Sequence, residues 1–275
     1  MTYHKPTDLA SALDIVASGT SKIIAGGTDI YPALRQGEQP ESYLDVKCIA
    51  GFAGISLDQN SLRIGAATTW ADVIKTNLPP AFDALKQAAQ TVGSVQIQNA
   101  ATIAGNICNA SPAADGVPPL MALNAQVELC SAERGCRVLP LSDFIKGSRQ
   151  TALASDELIT AVVIPPIADE ARSAFEKLGS RKYLVISISM VAAVITCDAS
   201  GLITDARISV GSCSPVAMRL PQLEKDVIGK RAEEVKVAAD HLSRLSPITD
   251  VRGSRAYRLD VVATQCERAI RRACA

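Results

Sequence analysis

Ile24-Ala25-Gly26-Gly27-Thr28-Asp29-Ile30 closes a short β run that begins at Lys22 and opens a helical pattern over 29–36, stopped by Gly37. Glycine has no Cβ, so it permits positive φ and lets another molecule come close to the backbone. Successive N–H groups in such a turn can converge on an anion. Thr28 adds a hydroxyl at a helix start, where the exposed N–H groups and the dipole also suit phosphate. A second turn of the same kind, Thr102-Ile103-Ala104-Gly105-Asn106, again follows a short apolar segment. Two such turns can hold a diphosphate from opposite sides without a lysine. Neither matches G-x-G-x-x-G or G-x-x-x-x-G-K-[ST], which disfavours a Rossmann or P-loop reading. Taken singly, each turn reads equally well as a tight connection between elements.

Working outward, Thr7 is read as the cap of a helix carrying Leu9, Ala12, Leu13 and Val16, ended by Gly19. Strands are expected at 43–46 and 61–66, a helix capped by Thr69, and another from Pro79-Pro80 to about Gln90. Residues 94–119 are small and polar with little amphipathic period, which suggests a binding loop or a tightly wound site. Strands at 126–131 and 136–139 form a hairpin, and a strand at 157–164 ends on Pro165-Pro166. Beyond Ala171 comes a meander of strands at 173–177, 187–197 and 202–210, then two or three amphipathic helices, the last after Ser254. The expected class is α+β: a first domain over 1–170 (subdomains about 1–55 and 56–170), and a second over 171–275 with a three-stranded antiparallel sheet and helices.

The chain has 275 residues, 48% of them hydrophobic and 20% charged, enough for a sizeable core and unlike a disordered chain. Its 28 basic residues balance 28 acidic ones, so no long-range field draws it to nucleic acid or an anionic membrane. Aromatic residues at 4% also argue against base-stacking platforms. No apolar run approaches the ~20 residues of a transmembrane helix, and the N-terminus lacks the apolar core of a signal peptide. The expectation is a soluble, cytoplasmic protein unless a partner chain carries it to the periplasm. Eight cysteines (48, 108, 130, 136, 197, 213, 266, 274) contain no C-x-x-C pair and only two histidines accompany them. No metal is expected, and the cysteines are read as small buried hydrophobes or bystander thiols. No Ser-His-Asp or Cys-His set stands out, so no catalytic residue is expected in this chain.

Residues 24–30, Ile64-Gly65-Ala66-Ala67-Thr68, 102–107 with Ala110-Ser111-Pro112-Ala113-Ala114-Asp115, Asp156-Glu157-Leu158-Ile159, 173–181 and Val210-Gly211-Ser212-Cys213-Ser214-Pro215 follow one another in a telling order. The order and spacing resemble the flavin domain of the xanthine dehydrogenase family. They also resemble the medium flavoprotein subunits of carbon monoxide dehydrogenase and bacterial aldehyde oxidoreductases, over essentially the whole chain. The resemblance implies a two-part FAD-binding domain of the vanillyl-alcohol-oxidase type, then a small C-terminal flavoprotein domain. By matching position, Ile24, Ala25, Gly26, Gly27, Thr28, Asp29 and Ile30 with Thr102, Ala104, Gly105 and Asn106 would hold the FAD diphosphate, and Thr68 counts among the cofactor residues. Ser111 and Asp115 would bond ribityl or ribose hydroxyls, and Leu158 and Ile159 would contact the flavin. Lys177 matches a family lysine beside the isoalloxazine. Read without the family, Asp115 is equally a turn-forming residue, Lys177 a solvated strand charge, Thr68 a helix-entry hydroxyl, and Leu158 and Ile159 plain core.

The implied role is electron transfer within a complex. A small iron–sulfur subunit with two [2Fe–2S] clusters would deliver electrons to FAD on this chain. A large subunit with molybdopterin-bound molybdenum would oxidise an aldehyde or N-heterocycle, in a heterotrimer or a dimer of heterotrimers. Gln98-Asn99 stands where many relatives have Arg-Asn. Lys182-Tyr183-Leu184-Val185-Ile186 stands where relatives often carry an acidic residue near the flavin, in a loop that faces the acceptor in NAD-using relatives, which counts against NAD; the sequence otherwise leaves the acceptor open among O₂, NAD, a quinone and a redox protein. The cysteine-bearing loop that adds a [4Fe–4S] cluster in benzoyl-CoA-reducing relatives is absent. Two other readings are a stand-alone flavin oxidase, for which the tail is short of a cap domain, and a scaffold that has lost FAD.

Overall fold

Three main sheets follow one another along the chain in the computed structural model, which describes residues 1–34, 40–58, 61–182 and 184–275. In the first, Thr2–His4 and Ser21–Ile24 run parallel on either side of Ser42–Asp45. The helix Leu9–Ala17 buries Ala12, Leu13 and Val16. Its cap is Asp8 rather than Thr7: the Asp8 carboxylate accepts from the Ser11 amide at 2.9 Å. Either residue type can cap, and the sequence pattern did not separate neighbours. After the glycine turn the helix Ile30–Leu34 begins at Ile30, one residue past Asp29, and the expected end at Gln36 and Gly37 lies outside the described residues.

The second sheet is antiparallel, in the order Ile55–Asp58, Ser61–Gly65, Glu157–Ile164, Gln126–Ser131, Gly135–Pro140. Glu157–Ile164 lies in the middle and is buried at every position but Val163, as suits a strand that is apolar apart from Glu157 and Thr160. The hairpin register sets Cys130 opposite Cys136, and the two form a disulfide with Cα atoms 4.1 Å apart. Reading them as thiols is therefore corrected. Their six-residue separation across a turn had hidden a direct cross-strand pairing.

Glu157 is the one acidic residue in that central strand, 2% exposed. Arg137 donates to it from Nε at 2.7 Å and Nη2 at 2.8 Å, and the Ala154 amide adds a bond of 2.9 Å. Arg137 above all holds the Glu157 carboxyl below the usual carboxylate range. A lowered folded-state pKa stabilises the fold above the unfolded value of about 4.3, and that contribution is lost as pH falls through the folded value. Arg137→Gln is expected to cost on the order of 1 kcal/mol at neutral pH, with a deficit that shrinks toward acid. Urea melts of both proteins at neutral and acid pH check this; a deficit constant across pH would refute it.

Residues 94–119 are not a loop. They wind into three short helices, Val95–Ala100, Ile103–Asn109 and Val117–Ala122. The Ser94 and Thr102 side chains cap the first two, and Pro118 and Pro119 sit in the first turn of the third, where the missing N–H donors would have had no intrahelical acceptor. The amphipathic period is missing because Val117, Pro118, Pro119 and Leu120 are buried on successive faces.

The last sheet runs Arg172–Leu178, Ser189–Cys197, Ile203–Gly211, Met218–Arg219. It has four strands, not three. The fourth pairs only Met218 with Val210 and Arg219 with Ser209, too short for any alternation to be read. Along Ser189–Cys197 the side chains divide by parity. Met190, Ala192 and Val194 join the core of the first part of the chain, while Val191, Ala193 and Ile195 join a second core under the helix Arg255–Cys274. That sheet therefore glues the C-terminal helix to the rest. Among the described residues no helix is long and apolar enough to cross a membrane.

Candidate functional site

The turn at 25–29 and the segment at 101–106 face each other across a cleft of about 450 Å³. Gly26 fits directly against the opposite backbone: a Cβ there would lie 2.0 Å from Ala100 O and 2.9 Å from Ala101 Cα. Gly27 has φ of +69°, the left-handed region that favours glycine. The segment 68–70 straps the far side, with Ile103 N bonded to Thr68 O at 3.0 Å and Trp70 N to Ala101 O at 3.2 Å. Gly26, Gly27, Thr28 and Asp29 all line the cleft, and their amides donate to no acceptor among the described residues. Gly27 is buried, Gly26 and Thr28 are half-buried and Asp29 is exposed, so the turn is open to the cleft rather than sealed in the core. Four such amides in succession, in a turn built on glycine, form a ready cradle for an anion.

On the opposite side, Thr102 Oγ1 accepts from Gly105 N at 3.1 Å and fixes the first turn of Ile103–Asn109. Gly105 is exposed to the cleft, and a Cβ there would approach only the Thr102 hydroxyl, at 3.0 Å. Leu158 and Ile159 from the central strand, with Val92 and Ile97, supply apolar lining. Two polar atoms of the lining residues are buried without a partner among the described residues, Trp70 Nε1 and Asn106 Oδ1.

Residues 1–167 match the model of the FAD-binding domain in molybdopterin dehydrogenases, and residues 173–273 match that of the CO dehydrogenase flavoprotein C-terminal domain. The chain belongs to the FAD-binding subunit family of the molybdopterin dehydrogenases. It is 31% identical to the putative xanthine dehydrogenase FAD-binding subunit of Escherichia coli over 283 aligned positions, covering 100% of this chain and 96% of that one. It is 35% identical to the nicotinate dehydrogenase FAD subunit of Eubacterium barkeri, over 75% of this chain and 71% of that one. In shape it matches a chain of the crystal structure of a Cu,Mo-CO dehydrogenase with a TM-score of 0.91 and 26% identity, over 100% of this chain and 97% of the other.

In this FAD-subunit chain the cleft gathers most of the residues singled out from sequence: Ala25 to Ile30, Thr102, Ala104, Gly105, Asn106, Leu158 and Ile159. Others lie off it. Ile24 is a buried strand residue whose carbonyl accepts from Val46 N at 3.0 Å. Thr68 is fully buried and exchanges bonds with the Gly54 backbone, donating to its carbonyl at 2.9 Å and accepting from its amide at 3.1 Å. The Ser111 hydroxyl accepts from Ala113 N at 3.3 Å. Asp115 and Lys177 find each other: Lys177 Nζ donates to Asp115 Oδ2 at 2.5 Å and Ser187 Oγ to Asp115 Oδ1 at 2.6 Å. Burial pushes the Asp115 carboxyl up, against the opposing pull of Lys177 and the neighbouring hydroxyls. Lys177 also donates to Thr91 O at 3.3 Å, so the pair ties the last sheet to the residue before Val92 of the cleft.

Gln98, in place of the family arginine, donates through Nε2 to Gln90 O at 3.1 Å and Val92 O at 3.2 Å, closing the helix Asp83–Thr91 beside the cleft. Tyr183 of the variant loop lies outside the described residues, while Leu184 and Ile186 are exposed. Sequence reasoning missed Trp70, Val92 and Ile97 as lining residues. Trp70 carried a usable signal, being the only tryptophan and the first residue after a helix cap. Val92 and Ile97 carried none beyond being apolar.

Proposed function

We propose that this chain binds FAD in the cleft between its two glycine turns. It then passes electrons from [2Fe–2S] clusters of a small partner subunit to an external acceptor. A large molybdopterin subunit oxidises an aldehyde or N-heterocycle in the same complex, a heterotrimer or a dimer of such trimers. The observation that carries the cofactor assignment is the run of amides from Gly26 to Asp29 without a partner among the described residues, in a turn that lines a cleft whose other side also lacks a side chain, at Gly105. FAD suits such a junction because it takes electrons one at a time and releases one or two. In this reading the Gly26–Asp29 amides receive the diphosphate, and Leu158 and Ile159 exclude water from the flavin. Ser111 and the Asp115–Lys177 pair order the edge where sugar hydroxyls and the isoalloxazine lie. The ammonium of Lys177, already matched by Asp115, there acts as half of an ion pair rather than as a lone cation. We further read residues 1–170 as the two-part vanillyl-alcohol-oxidase-type domain, divided near residue 55, and 171–275 as the second domain.

Gly105→Val tests the placement. The branched side chain would project into the cleft while meeting only the Thr102 hydroxyl of its own chain. The variant is expected to be folded and colourless, with FAD occupancy reduced at least tenfold and a melting temperature close to that of the flavin-free parent. Full occupancy would place the cofactor elsewhere. Isolation of the chain with its native partners tests the wider reading. Flavin on this chain, with molybdenum and iron on the accompanying ones, is the expected result, and flavin without either metal would count against the complex.

A further inference from the structure

We propose that Cys197 and Cys274 form a reversible oxidation site, closed into a disulfide by a hydroperoxide and reopened by a dithiol. The site lies outside the FAD reading and does not depend on it. The two residues are 77 positions apart in sequence, yet their Sγ atoms stand 3.6 Å apart. Sulfurs at that distance are in contact, and a disulfide of about 2.05 Å asks them to approach by roughly 1.6 Å more. Both residues end an element, which makes that shift easy. Cys197 closes the strand Ser189–Cys197, just where its register with Ile203–Gly211 slips between Thr196 and Cys197. Cys274 closes the helix Arg255–Cys274, and the last turn is the part of a helix that adjusts most readily. Two residues earlier, Arg272 donates to Phe175 O at 3.0 Å, which already fixes this end of the helix over the sheet.

The pair can be reached. Both cysteines are half-buried and line one cavity of about 300 Å³, walled also by Pro80, Asp169, Glu170 and Arg172. Cys213 and Cys266 are by contrast 0% exposed, so an oxidant meets them only if the core opens. Burial pushes the Cys274 thiol up, and Cys197 beside it adds to the effect. A thiol that ionises with difficulty reacts slowly, but the disulfide it forms resists reduction. With hydrogen peroxide, one thiolate attacks an oxygen, the O–O bond breaks, water leaves and that sulfur becomes a sulfenic acid. The second thiol attacks the sulfenic sulfur; the S–S bond forms, the S–O bond breaks and a second water leaves. Two thiols thereby give up two electrons and two protons, and the peroxide is reduced to two waters.

The full-length chain is exposed to hydrogen peroxide, quenched by alkylation, digested and read by mass spectrometry. Cys197 and Cys274 are expected to lose their thiols together. A joined peptide pair, lighter by two hydrogens than its separate parts, should appear, and dithiothreitol should restore both thiols. This reading uses the unmodified chain, so it does not rest on any variant folding. Recovery of both thiols unoxidised would overturn the proposal, and so would their conversion to sulfinic or sulfonic acid without a joined peptide. The disulfide pins the helix end to the sheet, so the oxidised chain is expected to melt roughly 5 °C above the reduced one. Cys274→Ser should show no such rise. An equal rise in that variant would place the stabilising oxidation elsewhere and sink the assignment.

Discussion

Gly26→Ala is expected to abolish FAD uptake and to destabilise the chain by about 2–4 kcal/mol, the strongest effect of any single methyl in the cleft. The added carbon would stand 2.0 Å from Ala100 O, 2.5 Å from Ala100 C and 2.9 Å from Ala101 Cα. All three are backbone atoms, so no rotamer change relieves the clash. Neither side can retreat cheaply. The carbonyl of Ile24, two residues before Gly26, holds Val46 N at 3.0 Å, while Ala101 is tied to Ile97 O at 2.7 Å and to Trp70 N at 3.2 Å. Restoring contact distance means parting the two turns by roughly an ångström or more, and the parting opens the cradle that both are needed to form. Gly105→Ala is the control. Its site is exposed and helical, so it is expected to keep or slightly raise stability, by up to about 1 kcal/mol. Flavin absorbance per chain and a thermal melt on the two variants separate the cases. Gly26→Ala with a full flavin complement and an unchanged melting temperature would mean that the turns are not locked to each other.

That contrast shows what could be read from sequence. Gly26 and Gly105 look alike on the page, each a glycine in a small-residue turn, and both turns were legible as a paired site because glycine limits what such a segment can be for. Their difference, one glycine facing backbone and the other only the Thr102 hydroxyl of its own helix cap, depends on a contact between residues 74 positions apart along the chain. The central strand Glu157–Ile164 was equally legible, since an apolar run ended by two prolines has few other fates. The short helices over 95–122 were not: the first buries no residue and so has no apolar face, the second is only seven residues long, and the third is buried on several faces, which erases the 3.6-residue period. Asp115 and Lys177 were each legible as functional candidates, but their mutual pairing was not. Nothing local says that a loop carboxylate and a strand ammonium will spend their charges on each other. Trp70 illustrates the same limit: its position after a cap is plain, while the burial of its N–H without a partner among the described residues shows only in three dimensions.

Arg258→Ala is expected to cost about 3–4 kcal/mol, a fall of roughly 10 °C in melting temperature for a chain of this size. Arg258 occupies the buried stripe of Arg255–Cys274 alongside Val262, Cys266, Ala269 and Ile270, where the helical pattern asks for an apolar residue. It is 3% exposed, and its guanidinium ties the segment at Asp250 to the open end of the paired strands Ser189–Cys197 and Ile203–Gly211. One arm donates to the carbonyls of Ile188 and of Ser212, the latter at 3.1 Å, and the other donates to Asp250 Oδ1 at 2.8 Å. Truncation leaves two buried carbonyls without their donor, together with a cavity, while Asp250 is relieved in part because its side chain is 22% exposed. The damage should not stay in the C-terminal core. Ser212 sits at φ of +61° and its amide donates to Pro112 O at 3.0 Å, beside Ser111 and Asp115. A loosened Ser212 therefore loosens the segment Ser111 to Asp115, which the FAD reading sets beside the cofactor, and FAD affinity is expected to fall severalfold as well. Arg258→Lys separates charge from shape: an ammonium can satisfy one of the carbonyls or Asp250 but cannot span all three, so it should recover less than half of the loss. If Arg258→Ala melted within a degree or two of the parent, the guanidinium would be a passenger, and the coupling drawn from Arg258 through Ser212 to Pro112 would fall with it.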